Sequence, residues 1–411
     1  MCPGDSSRPI AADRRHSSRW RFCLIVMLLT ALAGGAAYCQ LYSSFAAYDD
    51  EGYVHLSLRM YGDGRVLYDG LTTQYGPSFF VLQNAVHRLL GLPVTHDVAR
   101  AKTLAIWLLA AAAAAFIVYR QTRMGLLAFL GASGVQWHLD RLGLEPGHPQ
   151  ELALLVILAI VAIVAVGQRT ARAGQWMSLG IGLLTGTLLM TKINLGVLTG
   201  LGVTVWLLSR SGSRGLRAWL LTGVTTAAAV LPWLLARTHA LTWEGMALPL
   251  SISCGCAGLM CTPRRVTEEP NRTWIDVLSF GSGTAMAAAA FALLAVLGGT
   301  SWSGLWYGLI GQHRGFLDQF YHHAPLPSWA PGWAITGLML AWAARRDARV
   351  APALRAVAPM TLLWIGLRVL GETWVPIRHG LDDRAGAGLL AAIVPPIVWL
   401  LLYSEPAMAT A

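Results

Sequence analysis

The sequence predicts an all-α polytopic membrane protein with about eleven or twelve transmembrane helices, and three observations carry that prediction. Hydrophobic residues make up 55% of the 411-residue chain and charged residues 13%, where a soluble domain carries about 25% charged residues. Apolar runs recur along the whole chain and are far too long for barrel strands, so helices must satisfy the backbone within lipid. The basic residues behind the formal charge of +10 fall mostly in short loops on alternate sides of those runs, the positive-inside pattern. A basic protein of this kind is not expected to bind nucleic acid, because the charge is not gathered on one soluble face; its expected partner is the lipid bilayer.

The N-terminal segment 1–19 holds Arg8, Arg14, Arg15 and Arg19 and is expected in the cytoplasm. Residues 20–411 then read as one transmembrane domain. The run from Trp20 to about Tyr42 is long for a cleaved signal sequence and is taken as a retained signal anchor. It leads into a first extracytoplasmic loop, 43–99. Within that loop Gly76 to Leu92 is apolar but broken by Gln83, Asn84, His87 and Arg88. A lipid-exposed crossing would bury those groups at a cost, so an interfacial amphipathic helix is expected there.

The remaining runs alternate. Spans are expected near 100–118, 124–138, 151–166, 175–191, 195–208, 216–235 and 280–298, with a second external loop at 139–150 and a large one at 236–279. The stretch 303–320 must cross if Arg345, Arg346 and Arg349 are to lie inside after a span at 332–344. Spans at 354–370 and 385–403 complete the set. The Cys254-Gly255-Cys256 pair and Cys261 have no histidine close enough to complete a zinc pattern. A local disulfide and plain small-residue packing are the two readings of that loop.

Three motifs fall on the outer face. Asp49, Asp50 and Glu51 stand together, and adjacent carboxylates need a cation or a donor nearby. They can act as a general base or hold a hard divalent ion, though a solvated acidic loop would look the same. Glu145-Pro146-Gly147-His148-Pro149 places a carboxylate and an imidazole on a turn fixed by two prolines and a glycine. The plainer alternative is an acidic helix start, which suits Glu151 better than Glu145 or His148. Lys192 sits between two apolar runs on the side that usually lacks basic residues; it can hold a phosphate or simply snorkel. Arg59, Tyr75, His322, His323, Arg378 and His379 are further outer-face candidates, with Arg59 and Arg378 suited to bidentate phosphate contacts.

The run Asp49-Asp50-Glu51-Gly52-Tyr53, with Leu67-Tyr68-Asp69 and Gln74-Tyr75-Gly76-Pro77 after it, resembles the first periplasmic loop of the type C glycosyltransferases. These are multispan enzymes that take sugars from polyprenyl-phosphate carriers, and include the protein O-mannosyltransferases and the lipid A aminoarabinose transferases. The likeness covers roughly residues 20–235. It implies a bacterial inner-membrane enzyme with a cytoplasmic N-terminus and a periplasmic active site. It implies inverting transfer of a sugar from a polyprenyl-phosphate donor to a hydroxyl on a lipid, glycan or protein acceptor. By resemblance Asp50 of the Asp50-Glu51 pair acts as base, with Asp49 beside it. Glu145 matches an acid that organises the site, and Lys192 is a candidate for the donor phosphate, with His148, Arg59, Tyr75 and Arg378 as further binding residues. No resident metal is implied, although a divalent cation would fit the acids.

Two other classes are consistent with the composition. A transporter or flippase predicts ionisable residues at mid-span and broken helices related by a repeat. This chain shows neither, its ionisable groups falling at span ends. A non-catalytic subunit of an envelope glycan assembly would carry the same topology with an idle site.

Overall fold

The computed structural model describes residues 34–43, 50–139, 146–166, 171–209, 215–235 and 270–312, together with isolated helical positions at 31, 246, 249–250, 253–254, 332, 335–336, 339 and 342. Among these residues the fold is all-α, with one isolated bridge, Leu67 to Leu71, and no strand. The helices are α1 (34–43), α2 (Asp50–Gly62), α3 (Pro77–Leu90), α4 (His96–Thr122), α5 (Gly125–Leu139) and α6 (Pro149–Val166). They continue as α7 (Ala171–Leu189), α8 (Ile193–Ser209), α9 (Gly215–Leu235), α10 (Pro270–Leu297) and α11 (Trp302–Trp306), the last followed by a π-helical turn, Tyr307–Gly311.

Among the described residues three helices are long and apolar enough to cross a membrane: His96–Thr122, Pro149–Val166 and Trp274–Leu297. Gly125–Gln136 and Ile193–Leu208 are apolar but shorter. The span expected at 303–320 is described only to Gln312. The spans expected at 332–344, 354–370 and 385–403 lie outside the described residues, apart from the isolated positions above. Two loop boundaries differ from expectation. The described part of the segment expected as the first external loop is largely helical, because Asp50 and Glu51 open α2 instead of lying in a connector. Carboxylates suit that position, where the unpaired N–H groups of a helix face outward. At the far end of the 236–279 loop, α10 already begins at Pro270.

The chain divides into two compact units. The first comprises Met1–Gly64 and Leu82–Gly167. Its core gathers Ala37 and Leu41 of α1, Trp107 and Ala110 of α4 and Leu139 of α5. The alanine run of α4 leaves room for this close approach. Thr95 caps α4, its hydroxyl accepting the Val98 N–H at 3.4 Å, and Arg123 ends it in the left-handed region with φ 57°. In the part of α3 that belongs to this unit, Gln83 and His87 accept from the Lys102 Nζ at 2.8 and 2.6 Å, and Arg88 donates to the Gly62 carbonyl at 3.1 Å. Val86, Leu89 and Leu90 are left exposed. In this C-terminal part of α3, Gln83 and His87 therefore face protein while Val86, Leu89 and Leu90 face outward.

The second unit comprises Arg65–Val81 and Gln168–Ala411. Its centre is the α7–α10 pair. A side chain at Gly182 or Gly186 of α7 would run into the Phe280 or Thr284 carbonyl of α10, and one at Gly283 into the Leu179 carbonyl. Two small residues four apart let the backbones meet, as in membrane helix pairs. Cys254 is a buried free thiol; Cys256 and Cys261 lie outside the described residues.

Candidate functional site

The first-unit site starts from a helix register. On α2, Glu51 and His55 are four residues apart and project from one face. Val54 and Leu58 are buried on the same helix, which turns this face inward. Arg100, one turn into α4, is 2% exposed and meets Glu51 with two nitrogens: Nε donates to Oε1 at 3.1 Å and a terminal nitrogen to Oε2 at 2.8 Å. Its other terminal nitrogen donates to the Leu41 carbonyl at 2.7 Å, tying α1, α2 and α4 together. His96 Nδ1, at the exposed start of α4, lies 2.8 Å from Glu51 Oε1. Burial alone would raise the Glu51 carboxyl. The hydrogen bonds from Arg100 and His96 and their charges outweigh it, and the carboxyl is held below its ordinary value.

The second motif closes over this cluster. Gly147 has φ +78°, a left-handed conformation that glycine adopts freely. Its N–H donates to the Thr103 hydroxyl at 2.7 Å, and a Cβ there would stand 3.2 Å from His55 Nε2. Pro149 then starts α6, where a missing N–H costs nothing. His148 is buried, and its carbonyl accepts the Glu151 N–H at 3.1 Å. Glu151 itself is 1% exposed; it accepts from Thr103 at 2.7 Å and from the Trp107 indole N–H at 3.2 Å. Thr103 thus links the glycine turn, α4 and α6 through one hydroxyl.

Lys102, on the adjacent turn of α4, faces α3. The His87 Nδ1 points at the Leu92 carbonyl at 3.0 Å and must be the protonated nitrogen, so Nε2 accepts from Lys102. Burial first, and then the neighbouring ammonium, hold the His87 imidazole below its ordinary pKa, against the opposing backbone bond.

In the second unit, two further motifs meet. The Gly76 N–H donates to the Thr191 carbonyl at 3.0 Å and the Ser78 N–H to Met190 at 3.1 Å. Ser78 Oγ lies 2.6 Å from Thr191 Oγ1 and donates to the Thr187 carbonyl at 2.9 Å. A side chain at Gly76 would collide with the Met190 carbonyl. The Gln74–Pro77 segment is therefore clasped to the turn carrying Lys192, which is half-buried. Tyr75 is buried, its ring edge-on to Phe79 and its hydroxyl accepting from Gln74 at 3.1 Å. Asp69 accepts from the Ser301 N–H and hydroxyl at 2.6 and 2.9 Å, fixing the start of α11.

Of the residues singled out in sequence, Glu51 and His148 belong to the first-unit cluster, while Tyr75 and the Lys192 turn belong to the second-unit one. Arg59 is exposed on the last turn of α2. Asp49, Glu145, His322, His323, Arg378 and His379, and the side chain of Asp50, lie outside what the structure describes. Sequence reasoning missed His55, His96, Arg100, Thr103 and the burial of Glu151. Two signals were present: the Glu51–His55 spacing, which has meaning only on a helix, and a lone arginine at the edge of an apolar run, which needs a counter-charge. Compared with known protein families, curated proteins and solved structures, the chain matches none.

Proposed function

We propose that this protein is a type C-like membrane glycosyltransferase with about eleven or twelve spans, moving a sugar from a polyprenyl-phosphate donor to an acceptor hydroxyl at the outer membrane surface. The observation that carries the reading is the meeting of two separate sequence motifs. The helix opened by Asp50-Glu51 and the turn at Pro146–His148 come together at His55, where Gly147 lies against the imidazole. A connector has no need of such an arrangement; a site built from the first two external segments requires it. The exposed Val86, Leu89 and Leu90 at the C-terminal end of α3 add support, since such a helix end can lie against lipid and a polyprenyl chain.

The chemistry divides among the residues. Glu51 is a poor base, because both its oxygens are engaged and its carboxyl is held low. Its part is to fix the start of α2. Asp50, the next residue toward the N-terminus, then takes the acceptor proton, with Asp49 beside it. The acceptor oxygen attacks the anomeric carbon as the bond to the phosphate oxygen breaks, inverting the centre. The departing polyprenyl phosphate takes the negative charge, and Arg59, on the same helix as Asp50, is its candidate cation. Glu145 and His148 shape the acceptor side.

A transporter is the weaker reading. Glu151 is the buried acid of a span-length helix, yet it sits in the first turn of α6 with both oxygens bonded to α4, a latch and not a lined pathway. Incubating membranes that hold the full chain with labelled polyprenyl-phosphate sugars tests the proposal. Label should pass to a lipid, glycan or protein acceptor, and Arg100→Ala, which frees Glu51, should lower that transfer. No transfer from any donor in a panel of hexose, pentose and aminosugar carriers would contradict it.

A further inference from the structure

We propose that Glu51, His55 and His96 form a binding site for a zinc-type divalent transition-metal ion. One donor atom from each lies within 4.8 Å of the other two, in the one such group of three among the described residues. His96 Nδ1 is already 2.8 Å from Glu51 Oε1, and the two imidazoles meet edge to face with centroids 4.9 Å apart. Zinc bonds of about 2.0–2.2 Å place tetrahedral donors about 3.3–3.6 Å from one another. Binding therefore requires the widest donor separation to shrink from the 4.8 Å limit by about 1.2–1.5 Å and the His96–Glu51 pair to open slightly from 2.8 Å.

The donor set suits the ion. Two neutral nitrogens and one carboxylate oxygen form the three-ligand set of open zinc sites, leaving a fourth position for water or another oxygen ligand. Arg100 plays the supporting role that metal-binding carboxylates usually require. It holds Glu51 from behind with two hydrogen bonds, so the carboxylate does not turn away. Glu51 and His55 are buried, whereas the His96 side chain is 56% exposed, which gives an ion a route in from water. Gly147 leaves the space beside His55 Nε2 that any larger residue would crowd. One carboxylate does not neutralise both a dication and the Arg100 guanidinium. The loaded site is thus positive, and its open position favours an anionic oxygen, hydroxide or phosphoryl.

The inference stands apart from the transferase reading, because binding is measured with no sugar donor present. The full chain, purified in detergent and stripped with a chelator, is titrated with Co2+ and then Zn2+. Bound metal is counted by mass spectrometry, and the Co2+ d–d absorption reports its geometry. One ion per chain with a tetrahedral Co2+ spectrum is expected, with Zn2+ displacing Co2+. Removing a ligand should weaken Zn2+ by more than about tenfold in His55→Ala and His96→Ala, while His87→Ala binds as the parent does. His96→Ala decides the matter should His55→Ala not fold, because its side chain is largely in water. Binding well below one ion per chain, or unchanged affinity in His96→Ala, would overturn the proposal.

Discussion

Arg100 joins three helices through one guanidinium, and its loss would leave the buried Glu51 carboxylate with the exposed His96 imidazole as its remaining ion-pair neighbour. Breaking a buried pair from one side costs about 3–5 kcal/mol. Arg100→Ala should therefore lower the melting temperature of the purified protein sharply. Arg100→Lys should recover only part of the loss, because an ammonium cannot span both carboxylate oxygens and the Leu41 carbonyl. The His87–Lys102 contact makes a pH-dependent prediction. The imidazole is held below its ordinary value near pH 6.5, so the folded state takes up a proton less readily than the unfolded chain. Stability is complete above that pH and falls as acid protonates His87, which places two cations 2.6 Å apart and removes the acceptor. Thermal melts between pH 7.5 and 5.5 should show the decline, and His87→Gln should flatten it. An equal decline in the variant would place the titration elsewhere.

Among the elements, the glycine faces of α7 and α10 and the Gly76 clasp depend on close backbone approach. Gly186→Leu should separate α7 from α10, since the side chain has only the Thr284 carbonyl and Ala287 before it; overpacking of this kind costs about 1–3 kcal/mol. Gly223→Leu on α9, where a Cβ meets nothing within 4 Å, should change the melt little. Helices α4 to α9 were legible because each apolar run in the sequence begins and ends within a few residues of the helix that forms there. Helix α2 was not. Its sequence, Asp50 to Gly62, mixes polar and apolar residues without a clear stripe, and its inward face is set by Arg100, which lies 49 residues downstream of Glu51. The site was half legible for the same reason. Motifs mark where chemistry-bearing residues cluster along the chain, whereas the partners that orient them arrive through tertiary contact. Glu151 shows this well: a helix-start acid in sequence, it becomes a buried link only when Thr103 and Trp107 of α4 meet it.

At the scale of the whole molecule, the described helices carry large exposed apolar side chains that suit a bilayer. Leu126 and Leu130 of α5 are 66% and 54% exposed, and Leu278 and Leu297 of α10 are 68% and 74% exposed. The protein should remain with membranes through alkaline carbonate extraction and leave them only in detergent. The proposed sugar transfer assigns the acceptor proton to Asp50 at the start of α2, while its neighbour Glu51 is held in an ion pair. Sugar transfer by the Asp50→Asn variant is the most direct measurement of that claim. Membranes carrying the variant at parental levels, given the polyprenyl-phosphate donor that the parent uses, should lose transfer by at least about a hundredfold, since removing a general base costs about 10²–10⁴ in rate. Full transfer by Asp50→Asn would contradict the assignment of the base and the mechanism built on it.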